Sequence, residues 1–168
     1  MTRHARHSLL LLCAAAVAGP AHAITQNASV KATVVKPLTL VSLQDLNLGT
    51  VTLQPGTWSG ATVGISQTGV LSCANVHTIC SGAAQAAQFK VTGSNKQVVK
   101  ITAPDVTMTN QSDPSKSLTL VVDSPGEVTL PSSGVQGITF NLGGSITLSS
   151  TTANGVYSGT LNVTVDYQ

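Results

Sequence analysis

Charge is scarce in this chain, and so are aromatic rings. Of 168 residues only 8% are charged and 3% aromatic, with a single tryptophan. An ordinary soluble domain carries about three times that charge. Arginine occurs only at Arg3 and Arg6, so no basic patch and no cation–aromatic interleaving exists beyond the first few residues. That excludes nucleic acid as a partner class. Beyond residue 23 the only histidine is His77, and the chain has neither a Gly-x-Ser-x-Gly elbow nor a phosphate-binding glycine loop. A nucleophilic triad would have to use His77 as its base. Cys-x-x-Cys is absent as well, which removes the usual redox-active spacing. Low charge does not mean disorder here, because 42% of the residues are apolar. Ser, Thr and Gly take the place of charge on the surface, which suits a subunit meant to associate.

Residues 1–23 have the form of a secretory signal. Arg3 and Arg6 supply a positive start, Ser8 to Ala18 an apolar stretch too short for a resident membrane helix, and Ala21-His22-Ala23 a small-x-small cleavage site. Lipidation at Cys13 is the competing reading, but Leu12 stands where a small residue is needed. No other segment approaches transmembrane length. Cleavage after Ala23 leaves 145 residues, enough for one domain with a full core. Six lysines then balance six carboxylates, for a formal charge of zero.

What is abundant is short alternating apolar runs split by Gly, Pro, Asn and Ser. They include Val30–Val34, Leu38–Leu40, Leu46–Leu48, Val51–Leu53, Ala61–Ile65, Val70–Leu71, Phe89–Val91 and Val99–Ile101. Further runs are Leu118–Val122, Val128–Leu130, Ile138–Leu142 and Ile146–Leu148, the last two separated by Gly143-Gly144, a loop or hairpin signal. Such spacing predicts an all-β sandwich. The one helix-like patch, Ala83–Gln88, lacks an amphipathic stripe and amounts to a turn or two at most. The strongest run is the last. Tyr157, Leu161, Val163, Val165 and Tyr167 alternate with polar residues, and Asn154-Gly155 ahead of them is a turn pair. A strand of this strength with nothing after it leaves one edge for another segment to pair.

This ending resembles that of chaperone–usher pilin subunits, which close on an alternating strand with a penultimate aromatic and a glycine fourteen residues from the end. Tyr167 and Gly155 stand at those places. The stretches Gly143-Gly144-Ser145-Ile146-Thr147-Leu148 and Gly155–Leu161 are also similar to a family of short secreted, pilin-like bacterial proteins that carries no functional name. The resemblance implies an immunoglobulin-like sandwich that is incomplete, with Gly155, Tyr157, Leu161, Val163, Val165 and Tyr167 on an acceptor strand. It implies a donor strand from another subunit to complete it. The implied partners are copies of itself or other pilin subunits, a periplasmic chaperone and an outer-membrane usher. The implied location is the periplasm in transit, then the cell surface or medium, with a role in adhesion or biofilm formation.

The donor candidate is the segment that follows the signal. Ile24, Gln26, Ala28, Val30, Ala32 and Val34 alternate with Thr25, Asn27, Ser29, Lys31 and Thr33, so one face is apolar with Gln26 as its single exception. Pro37 then breaks the ladder. The organisation expected is therefore a signal over 1–23, an extension over 24–34 and a sandwich over 35–168. The plainer alternative makes 24–34 the domain's own first strand.

Cys73 and Cys80 remain after cleavage, and in an oxidising compartment they are expected to form a disulfide. A metal site with His77 would have three ligands where structural zinc takes four, so no metal or cofactor is expected. Asp45, Asp105, Asp113 and Asp123 sit beside turn signals, where short carboxylates cap backbone amides. Trp58, between glycines, is either a sugar-stacking platform or a packing residue beneath a loop. Three classes result: a fibre subunit assembled by strand exchange, a self-contained secreted module that acts as an adhesin or carbohydrate binder, and an enzyme. The first is favoured, and no catalytic constellation supports the third.

Overall fold

The computed structural model describes residues 23–132 and 136–168. The signal and Cys13 thus lie outside the described residues, apart from Ala23. Val34–Gln168 forms one compact unit. The described residues contain no helix and thirteen strands. In chain order the first seven are β1 (Thr39–Gln44), β2 (Thr50–Leu53), β3 (Ser59–Ile65), β4 (Leu71–Ser72), β5 (Thr78–Ser81), β6 (Ala87–Thr92) and β7 (Val98–Thr102). The rest are β8 (Val106–Asn110), β9 (Ser117–Asp123), β10 (Glu127–Thr129), β11 (Ile138–Ser149), β12 (Tyr157–Ser158) and β13 (Thr164–Tyr167). The fold is an all-β, sandwich-like arrangement of curled antiparallel sheets, as the alternating runs predict.

The largest sheet has the order β1-β6-β11-β9-β8-β12, and β3, which carries β4, joins the second half of β11. A second sheet is β10-β7-β13 and a third is the pair β2-β5. The period of two explains which side of each strand is covered. In β6 the residues Ala87, Phe89 and Val91 are buried, while Gln88, Lys90 and Thr92 are partly exposed. Phe89 and Phe140 stack with ring centroids 5.8 Å apart in the core between β6, β7 and the first half of β11. A second apolar cluster joins Val63 and Ile65 of β3, Val106, Leu120, and Ile146 and Leu148 of β11. Full burial of one such Val, Leu, Ile or Phe side chain stabilises the fold by about 1.5–3 kcal/mol.

β11 corrects the expected break at Gly143-Gly144. It is one strand of twelve residues that passes from one core to the other, with Phe140 and Leu142 in the first and Ile146 and Leu148 in the second. The glycines are required because the backbones crowd there. A Cβ on Gly143 would run into the carbonyl oxygen of Ile65, and one on Gly144 would lie 3.0 Å from Leu120 Cδ1. Ala83–Gln88 is not helical: Gln85 bridges Asn47, and Ala87 opens β6. Val30–Val34 is not a strand either. Residues 23–33 have no regular secondary structure and are exposed throughout. An isolated strand has no ladder partner to satisfy its amides, so alternation alone does not order it.

The predicted disulfide is present, linking Cys73 and Cys80 with Cα atoms 6.2 Å apart. Closing so short a loop stabilises by about 2–3 kcal/mol through the unfolded chain. Cys80 lies on β5 opposite Val51 of β2, so the bridge braces the strand behind β2. Asp113 caps the β8–β9 turn, as its position predicts. The Ser115 hydroxyl and backbone N–H both donate to its carboxylate and hold it below the ordinary carboxylate range. Asp105 and Asp123 do not cap their own turns: Asp105 accepts from the Val122 N–H across on β9, and Asp123 from the Gln67 side-chain amide.

Candidate functional site: a groove between two free strand edges

The C-terminal segment has the predicted phase. Tyr157, Leu161, Val163, Val165 and Tyr167 are half-buried, and Ser158, Thr160, Asn162, Thr164 and Asp166 are exposed. It is not one continuous strand, however. β12 pairs with β8 and β13 pairs with β7, each on one side only, and Gly159–Val163 between them join no ladder. Phase is a property of the sequence; pairing needs a neighbour, and here a neighbour is present for the two ends alone.

Gly155 and Asn110 set where this segment starts. Asn110 is 1% exposed, and its amide donates to the Asn154 carbonyl while its oxygen accepts from the Ser112 and Asp113 N–H groups. Gly155 has φ of 140° and lies directly over that amide. Asn110 was invisible to a search for apolar periodicity. The only sequence hint was its place beside the Gln-Ser-Asp-Pro turn.

Across from this segment runs β1, then residues 45–49, then β2. β1 pairs only with β6 and β2 only with β5 among the described residues, so this wall also presents an unpaired edge. The two walls run in opposite directions. Ser42–Leu46 face Tyr157–Leu161 across a cavity of about 470 Å³, and Leu46–Leu53 face Thr152–Tyr157 across an adjoining one of about 700 Å³. Leu46, Met108 and Tyr157 belong to both, so the two are parts of one groove. Its floor is apolar: Phe89, Val106 and Leu120 in one half, Leu118, Ile146 and Leu148 in the other.

The groove is closed at one end. The Tyr167 hydroxyl donates to the Lys36 carbonyl at 2.6 Å and accepts from the Ser94 N–H at 2.7 Å. It packs where a side chain on Gly93 would stand. There Leu38 and Leu40 cover the same core as Val163 and Val165. The penultimate aromatic therefore ties the two walls together at the level of Lys36, and the groove opens from Ser42 onward.

The other candidate residues lie elsewhere. Trp58 is 9% exposed, stacks on His77 with centroids 5.1 Å apart and planes within 5°, and donates from Nε1 to the Gln54 carbonyl. Its face is covered, which makes it a packing residue beneath the disulfide loop. Among the described residues no three of His, Cys, Asp and Glu come together as metal ligands. The extension residues Ile24, Val30 and Val34 are 83%, 96% and 94% exposed.

What the site can do follows from its polar backbone and apolar lining. Two free strand edges offer N–H and C=O groups to an inserted strand, and the lining offers room for alternate apolar side chains. Comparison with known proteins finds no match among curated proteins. A family model described as DUF4402, a domain of unknown function, matches residues 38–167, which takes in both groove walls and the floor. The chain belongs to the DUF4402 family.

Proposed function

We propose that this protein is a structural subunit of a bacterial surface fibre, polymerised by strand exchange, with residues 24–34 of one copy filling the groove of another. It is exported through its N-terminal signal, is held in transit by a periplasmic chaperone, is assembled at an outer-membrane usher, and serves adhesion or biofilm formation. The observation that carries this reading is an apolar groove between two free strand edges in a chain whose own extension is exposed and apolar on alternate residues. The lengths agree. Thr152–Leu161 is a wall of ten residues and Ile24–Val34 a segment of eleven, each roughly 33–36 Å when extended. Ala28, Val30, Ala32 and Val34 would face the floor, and Lys31 and Thr33 the solvent, so a slip of one residue would bury a lysine.

Deleting Ile24–Val34 is expected to stop assembly, seen as loss of high-mass species in light scattering. Appending a copy of the segment after Gln168 through a short flexible linker is expected to restore a stable species that stays monomeric. A mature chain that is intact, folded and monomeric at high concentration would instead favour the self-contained secreted module.

A further inference from the structure

The extension joins the domain at a clasp of three hydrogen bonds that close on one another. The Lys36 N–H donates to Ser94 Oγ at 2.6 Å, the Ser94 N–H donates to Tyr167 Oη at 2.7 Å, and the Tyr167 hydroxyl donates to the Lys36 carbonyl at 2.6 Å. Both backbone polar groups of Lys36 are therefore held. Pro37 follows, with its own φ fixed by the ring, and it keeps Lys36 out of the helical region. Ser94 belongs to the turn between β6 and β7, and that turn is itself anchored where the Lys96 N–H donates to the Pro131 carbonyl. The chain is thus fixed to its domain from Lys36 onward, whereas Val34 and Val35 are 94% and 41% exposed.

Resting on the strand-exchange reading, we propose that the face around this clasp is where one subunit body meets the next, and that the clasp makes the fibre stiff at its joints. Val34 is the last residue of the inserted segment, and Lys36 is the first held by its own domain. Val35 alone lies between them. The inserted segment matches the groove wall in length, so Val34 lies at one end of the groove whichever way the donor runs. Two residue steps span at most about 7 Å, so the body that supplies the donor abuts the body that receives it. The joint keeps only the two dihedrals of Val35, and most of their values drive one body into the other. The meeting face carries Val35, Lys36, Pro37 and the Ser94–Lys96 turn, with Lys36 and Lys96 both exposed. Its occupant is a second copy of this chain, because the covalent connection delivers that copy and no other partner.

The test uses full mature chains and fibres imaged by electron microscopy, with persistence length as the readout. One variant carries Gly-Ser-Gly-Ser inserted between Val35 and Lys36, outside both the donor segment and the domain. A second, Ser94→Ala, frees the Lys36 N–H, keeps the N–H that bonds Tyr167, and touches neither the extension nor the groove lining. The insertion is expected to shorten the persistence length by about threefold or more, since a Gly/Ser linker behaves as a flexible coil. The same four residues added ahead of Ile24 should leave it unchanged. Ser94→Ala should shorten it in the same direction and by less. A Ser94→Ala fibre as stiff as the parent's would overturn the part given to the clasp. Insertion fibres as stiff as the parent's, or parent fibres that already bend freely between bodies, would overturn the short joint and leave strand exchange standing. Parent chains that stay monomeric would overturn strand exchange and this inference with it.

Discussion

A Val30→Asp chain is expected to fold as the parent does and to lose assembly. Val30 is 96% exposed in the unassembled chain, so a carboxylate there costs folding nothing. In the filled groove the same residue is on the apolar face, with neither a counter-ion nor a full set of hydrogen bonds. An unpaired buried charge costs about 3–5 kcal/mol, or roughly a hundredfold to several thousandfold in the assembly constant. Lys31→Glu, one residue along and on the wet face, is expected to change that constant by no more than a few fold. Sedimentation or light scattering of both variants against the parent reads the difference. Equal loss in the two variants, or none in either, would mean that the extension does not insert with this register.

The second large effect concerns the groove wall itself. Gly155→Val is expected to destabilise the domain by about 3–5 kcal/mol. The φ of 140° costs a β-branched residue about 1–3 kcal/mol. The new Cβ would also stand 2.5 Å from the Asn110 amide nitrogen. Asn110 could yield only by giving up bonds to Asn154, Ser112 and Asp113, and each buried group left unpaired costs about 1–3 kcal/mol. For a domain of this size the melting temperature should fall by about 10 °C or more. Asn110→Ala should destabilise through the same knot, and the double variant should cost less than the sum, because both changes break one set of contacts. Additive losses in scanning calorimetry would show that Gly155 is constrained by something other than Asn110.

How much of this could be read in advance depended on whether a feature was local. The phase of Tyr157–Tyr167 was legible because burial on a strand follows a period of two, and each of its alternate residues is half-buried as read. Its division into β12 and β13 was not, since that depends on which strands lie beside it. Cys73–Cys80 was legible because only seven positions separate the two cysteines. Gly143-Gly144 misled: a pair of glycines signals a turn when judged alone, and only the closeness of β3 to the first and of β9 to the second explains it inside a strand. β8 escaped notice because its buried end residue is Asn110, a polar side chain satisfied by loop backbone. The two groove walls lie about a hundred residues apart in sequence, beyond the reach of any local pattern. Alternation did single out both the extension and the final strand.

The central claim is that the groove beside Thr152–Leu161 takes a strand. Amide hydrogen exchange at Gly159, Thr160 and Leu161 tests it most directly, because these groove-lining residues join no ladder in the unfilled protein. They should exchange fast in the isolated subunit. In the assembled form, or with the Ile24–Val34 segment appended after Gln168, those of the three whose N–H points into the groove should slow by about a hundredfold or more, as new strand hydrogen bonds must open first. The slowing should be lost on Val30→Asp. Amides at Gly159, Thr160 and Leu161 that all exchange equally fast in the subunit, the assembled form and the fusion would contradict the account.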